Sequence, residues 1–185
     1  MTRHADTARL WRLPPDLWRV LLDDRPTQIR YYARVCRLGT GQCWYWTGAL
    51  SSTGHGRLRA GTRRGASAGP GSRVVASHVY GYQLSRGVLR PGADGQLPVI
   101  RHQRDEASCH NPAHWGGGTA LDNSRDYAAR RRRTDSPLAD RRGPGGRAAA
   151  IRDAILAARG QVADIGEAIR CAAGAGLPAV QGSLF

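Results

Sequence analysis

Residues 97–123 read Leu-Pro-Val-Ile-Arg-His-Gln-Arg-Asp-Glu-Ala-Ser-Cys-His-Asn-Pro-Ala-His-Trp-Gly-Gly-Gly-Thr-Ala-Leu-Asp-Asn, and the architecture of the chain turns on them. Residues 97–102 suit a strand that ends on His102. Residues 103–118 are too rich in turn formers for regular structure, and they carry Cys109, His110 and His114. From Thr119 a helix is well signalled: Thr119 as N-cap with Asp122 three residues on imitates a capping box, and the helix runs to about Arg133. A strand, a loop and a helix in this order bring a strand-end imidazole opposite a polar group in the first helical turn, here Asn123. Phosphodiester hydrolysis needs such parts: a neutral histidine to take a proton from water and a divalent metal to stabilise developing negative charge. The amide oxygen of Asn123 is a hard ligand suited to magnesium.

The charge around this stretch is uneven. The 185 residues hold 28 basic side chains, all arginine, against 14 acidic ones, for a net charge of +14. Residues 36–95 carry eight arginines and one acid, and residues 124–147 carry eight arginines and three acids. Residues 96–123 between them hold two arginines, three acids and three of the six histidines. A sequence pI near 11.1 points to a polyanion, either nucleic acid or an anionic membrane surface. Ligands that hold a cation inside a surface that attracts phosphate would produce this division. No amphipathic helix gathers the arginines beside a large apolar face, which disfavours a membrane. No apolar run spans a bilayer and no signal peptide is evident, so a soluble protein of the bacterial cytoplasm is expected. Four scattered cysteines suit thiols or metal ligands better than disulfides. The complete exclusion of lysine reads as genome composition, that of a GC-rich bacterium or its phage.

Outward from the central stretch, Pro15-Asp16 opens a short helix and a second runs from Thr27 to about Cys36. Residues 43–59 read as two short strands joined by a loop, and residues 60–72 as a mobile insertion or hairpin tip. A strand at 73–76 and a short helix through Tyr80 and Leu84 follow. Beyond Arg133, Ser136-Pro137 and Arg142-Gly143-Pro144-Gly145-Gly146 read as a flexible basic linker, and helices near 147–158 and 162–173 close the chain. The expected division is an N-terminal helical arm (1–35), a central domain (36–134), a linker (135–146), a helical hairpin (147–175) and a tail (176–185).

The motifs carry a resemblance. Cys43-Trp44-x-Trp46-x-Gly48, Gly54-His55-Gly56-Arg57 and Ser77-His78-Val79 are followed by the block from His102 to Asn123, with Cys109, Asn111, Pro112, His114, Gly118, Thr119 and Asp122 in step. Over roughly residues 30–130 the chain resembles the HNH endonucleases of the ββα-metal (His-Me finger) superfamily, in the phage-type branch related to His-Cys box homing endonucleases. The resemblance implies an α+β fold with a small ββα-metal core, short antiparallel strands, flanking N-terminal helices and a C-terminal helical hairpin. It implies hydrolysis of DNA phosphodiester bonds to 5′-phosphate and 3′-hydroxyl ends, with His102 as general base and Asn123 holding one Mg2+ or another divalent cation. Arg57 is then the residue that steadies the phosphate, and Cys43, Cys109 and His114 belong to a structural Zn2+ site. Arg104 stands where the pattern has a second zinc cysteine, so zinc takes a substitute such as Cys36, His110 or water, or packing alone holds the loop. Val79 replaces an arginine of the pattern. His78 and His110 are expected to be structural.

Arg57, Arg59, Arg63 and Arg64, with the run Arg130, Arg131, Arg132 and Arg133, are the expected contacts to double-stranded DNA. Cutting both strands needs two active sites, hence a homodimer or successive nicks. The terminal Gln181-Gly182-Ser183-Leu184-Phe185 resembles the peptide that binds the bacterial sliding clamp, with Gln181, Leu184 and Phe185 as its contacts and Gly182 departing from it. The rival readings are a non-catalytic DNA-binding protein on a degenerate HNH fold and an accessory factor in phage genome packaging.

Overall fold

The computed structural model describes residues 13–61 and 71–178. Arg63, Arg64, Gln181, Leu184 and Phe185 lie outside the described residues, as do residues 1–12 of the expected N-terminal arm. The described chain is α+β, with six α-helices and three two-stranded antiparallel sheets.

Helix α1 (Pro15–Asp23) starts on its proline and buries Trp18, Leu21 and Leu22. Helix α2 (Arg25–Ala33) is capped by Asp24, whose carboxylate accepts from the Thr27 amide at 2.9 Å. It stops before Cys36, earlier than the sequence suggests, because Val35 and Cys36 pair as strand β1 with β2 (Tyr45–Trp46). Strands β3 (Arg57–Ala60) and β4 (Arg73–Ala76) pair next, with Arg57 opposite Ala76. The alternating exposure of β3 turns Arg57 and Arg59 outward and Leu58 and Ala60 inward. Helix α3 (Ser77–Arg86) follows β4 directly and is largely buried.

Strand β5 (Val99–His102) pairs with β6 (Trp115–Gly118), placing His102 opposite Trp115. Strand β6 was not expected: a Trp-Gly-Gly-Gly run has no apolar alternation, and β5 supplies the pairing. Helix α4 (Ala120–Arg130) begins at the expected capping box. Thr119 Oγ1 accepts from the Asp122 amide, and Asp122 accepts from the Thr119 amide at 2.8 Å. The order strand, strand, helix is thus present around His102 and Asn123.

Two hydrophobic clusters hold these pieces. The larger joins α1 and α2 to Trp46, Leu58, Val75, Tyr80, Ile100 and Trp115. The smaller packs Cys36 and Tyr45 against Ile151, Ile155 and Ile169 of helices α5 (Gly143–Gln161) and α6 (Ile165–Gly174). Each aliphatic side chain fully withdrawn from water contributes about 1.5–3 kcal/mol, so the C-terminal hairpin is an integral part of the fold.

Residues 143–146, expected as linker, form the first turn of α5. Gly145 serves close packing: a Cβ on it would meet the Ser52 carbonyl oxygen at 2.3 Å, and across the same contact a Cβ on Gly54 would meet the Pro144 carbonyl oxygen at 2.5 Å. No helix among the described residues is long and apolar enough to cross a membrane.

Candidate active site and metal centres

The pairing of β3 with β4 begins the site. The Ser77 amide donates to the Gly56 carbonyl at 2.9 Å, which sets the start of β3 against the start of α3. His55, one residue before Gly56, and His78, one residue after Ser77, therefore meet with ring centroids 4.8 Å apart. The end of β5 adds His102, at 5.1 Å from His78 and 5.4 Å from His55. The three imidazoles present nitrogens that all lie within 4.8 Å of one another. They line a cleft of about 410 Å³ together with Arg57, Asp105, Asn123, Asp126 and Arg130.

Asn123 reaches this cleft because ion pairs fix α4, a helix with no buried residue of its own. Asp126 accepts from Arg101 at 2.9 Å and lies 3.2 Å from Arg130, which also approaches Asp105 at 3.4 Å and donates to the Gln103 carbonyl at 2.9 Å. One turn earlier on the same helix, Asn123 is left exposed at the cleft. Burial pushes the pKa of His102 and of His78 well below the usual imidazole value, and that of His55 down to about 4. All three are neutral at pH 7. Both His102 nitrogens and His78 Nδ1 are buried without a hydrogen-bond partner among the described residues. His55 Nδ1 lies 3.0 Å from the Thr53 hydroxyl.

A second group forms where β2 meets the loop before β6. Tyr45 bridges Cys109, the Trp46 amide donates to the Ser108 carbonyl at 3.0 Å, and the His110 amide donates to that of Trp44 at 2.6 Å. This register brings Cys43 and Cys109 to the same imidazole: His114 Nδ1 lies 3.6 Å from Cys43 Sγ and 3.5 Å from Cys109 Sγ. The Cys109 thiol is pulled down to about 6, first by the hydrogen bond with Cys43, against the effect of burial. Its partner Cys43 is pushed up, first by that same bond and then by burial. Two sulfurs and an imidazole fit a zinc-type ion, one ligand short of a closed structural site.

The two side chains expected as substitutes for a fourth ligand, His110 and Cys36, are engaged elsewhere. His110 is buried and stacked on Trp46, with Nε2 2.7 Å from Ser77 Oγ and Nδ1 2.9 Å from the Ser108 carbonyl. A carbonyl only accepts, so Nδ1 carries the proton and both nitrogens are engaged. Cys36 sits in the smaller hydrophobic cluster, outside the ligand group. The structural reading of His110 therefore holds, whereas His78 belongs to the cleft.

The basic residues divide. Arg57, Arg59, Arg131 and Arg132 are exposed, and Arg59 donates to Ser72 Oγ at 3.1 Å. Arg133 is exposed but paired with Asp135 at 2.9 Å. Arg130, expected as a DNA contact, is engaged within the fold by the ion pairs that hold α4 and also lines the cleft.

Sequence reasoning did not assign His55 to the site. Its position between two glycines in the Gly-His-Gly-Arg motif was the available signal. The chain matches no family model, no curated protein and no solved structure.

Proposed function

We propose that this protein is a metal-dependent endonuclease that hydrolyses phosphodiester bonds of double-stranded DNA on a ββα-metal core. The observation that carries the reading is the joint presence of His102 and Asn123 in one cleft, from the end of β5 and the first turn of α4, with Arg57 on its rim.

Neutral His102 accepts the proton of the attacking water. The amide oxygen of Asn123 would hold a divalent cation, which when bound supplies charge stabilisation for the leaving oxygen. Exposed Arg57 steadies the phosphate through its guanidinium fork. Duplex cleavage follows from two chains acting together or from successive nicks.

Incubation of the full chain with supercoiled plasmid and Mg2+ tests the reading. Wild type is expected to nick; His102→Ala and EDTA are expected to abolish nicking. Retention of DNA by wild type with no nicking in Mg2+ would replace the enzyme with a non-catalytic DNA-binding protein.

A further inference from the structure

We propose that His55, His78 and His102 form a second metal site, separate from the Cys43, Cys109 and His114 group, that takes a borderline transition-metal dication such as Zn2+, Co2+ or Ni2+. The geometry comes first. Three imidazoles, from the loop before β3, from α3 and from β5, converge with nitrogens within 4.8 Å of one another. Three donors from the protein leave a position open for water or an exogenous oxygen.

The second observation is independent. His78 Nδ1 and both nitrogens of His102 are buried with no hydrogen-bond partner among the described residues, and folded chains rarely tolerate such atoms. A bound metal takes one nitrogen from each ring, so it would supply His78 Nδ1 and one nitrogen of His102 with the contacts they lack. Donor chemistry selects the occupant: neutral imidazole nitrogens favour Zn2+, Co2+ or Ni2+, whereas Mg2+ prefers oxygen. The Thr53 hydroxyl beside His55 Nδ1, itself 2.9 Å from Ser51 Oγ, supplies the outer hydrogen bond that fixes a ligating ring, leaving Nε2 of His55 for the metal. A dication held here engages the imidazole that His102 would use as a base. Inhibition of nicking by zinc rests on the nuclease reading, but metal binding does not.

Cobalt is the probe, because thiolate-bound Co2+ gives sulfur-to-metal charge-transfer absorption that imidazole-bound Co2+ lacks. The chelator-treated full chain, titrated with Co2+ at neutral pH, should bind two equivalents, only one of them with the charge-transfer band. Cys109→Ser should lose that band and keep the imidazole-bound equivalent. His55→Ala should lose the imidazole-bound equivalent and keep the band. Thr53→Val, which removes no ligand, should weaken that equivalent about tenfold. Circular dichroism of each variant reports folding. A single equivalent in wild type that vanishes in Cys109→Ser overturns the proposal, as does an unchanged second equivalent in His55→Ala or Thr53→Val. Either result leaves Mg2+-dependent nicking untouched, so the two readings fail separately.

Discussion

Arg147 on α5 and Glu106 in the loop after β5 form an ion pair of 2.8 Å with side chains only 9 % and 3 % exposed. Arg147 also reaches Asp140 at 3.3 Å and the Ala173 carbonyl at 2.8 Å. The pair ties the C-terminal hairpin to the loop that carries Cys109. Removing one partner strands a buried charge: Arg147→Met should cost about 3–5 kcal/mol, and combining it with Glu106→Leu should restore most of that. Urea unfolding of the two variants checks this; equal losses in both would show that the charge pairing is not what matters.

His102→Ala should lower the Mg2+-dependent nicking rate by about 10²–10⁴-fold, the usual contribution of a positioned base. Asn123→Asp should retain more activity than Asn123→Ala, because a carboxylate is also a hard ligand. His102 stays neutral down to well below the usual imidazole value. Its protonation therefore gives no acid limb between pH 6 and 7, and a rate profile that falls tenfold in that window would contradict the assignment.

The His110 ring sets an acid limit on stability. Burial lowers its pKa from 6.5 to about 4 in the folded chain. The unfolded chain therefore takes up a proton at a higher pH than the folded one does. The stabilisation is fully present above pH 6.5 and is lost as pH falls towards 4, by about 3 kcal/mol in total. His110→Gln should flatten that part of the stability curve while lowering stability at pH 7, as read by denaturant midpoints across pH.

By the resemblance to HNH endonucleases, Arg104 stands where the pattern has a second zinc cysteine. Arg104→Cys should tighten Zn2+ binding at the Cys43, Cys109 and His114 group by about tenfold or more, roughly 1.4 kcal/mol, in competition with a chromophoric chelator. Unchanged affinity would mean that residue 104 does not reach the metal.

Arg131 and Arg132 are exposed, and no ion pair engages them among the described residues. Each substitution to Gln should lower the slope of log K against log salt for duplex DNA by about 0.9. Arg130→Gln should instead lower the melting temperature, since its guanidinium holds α4 to Asp105 and to the Gln103 carbonyl. A DNA-binding loss from Arg130→Gln with no thermal change would reverse this division.

The start of α4 was legible because a capping box is local chemistry, written in Thr119 and Asp122. The placement of His102 at a strand end was legible for the same reason. His55 and His78 were not, because the pairing of β3 with β4 brings them together across more than twenty residues, and the glycines flanking His55 do not say which residue it meets. Strand β6 was hidden because its glycines have no side chains to alternate. At Gly118 the missing side chain gives clearance: a Cβ there would stand 2.6 Å from Arg101 Nε. The glycines at 143–146 misled in the opposite sense, since composition alone does not distinguish a residue chosen for freedom from one chosen for tight contact.

The interlocking of Gly54 with Pro144 and of Gly145 with Ser52 has a consequence for modularity. These contacts join the loop that carries His55 to the first turn of α5, so the final two helices are not a portable appendage. Grafting that hairpin onto another protein, or exchanging it for a foreign one, would disturb the backbone on which the histidine cluster is built. Recombination that preserves the cleft must move residues 51–55 and 143–147 together.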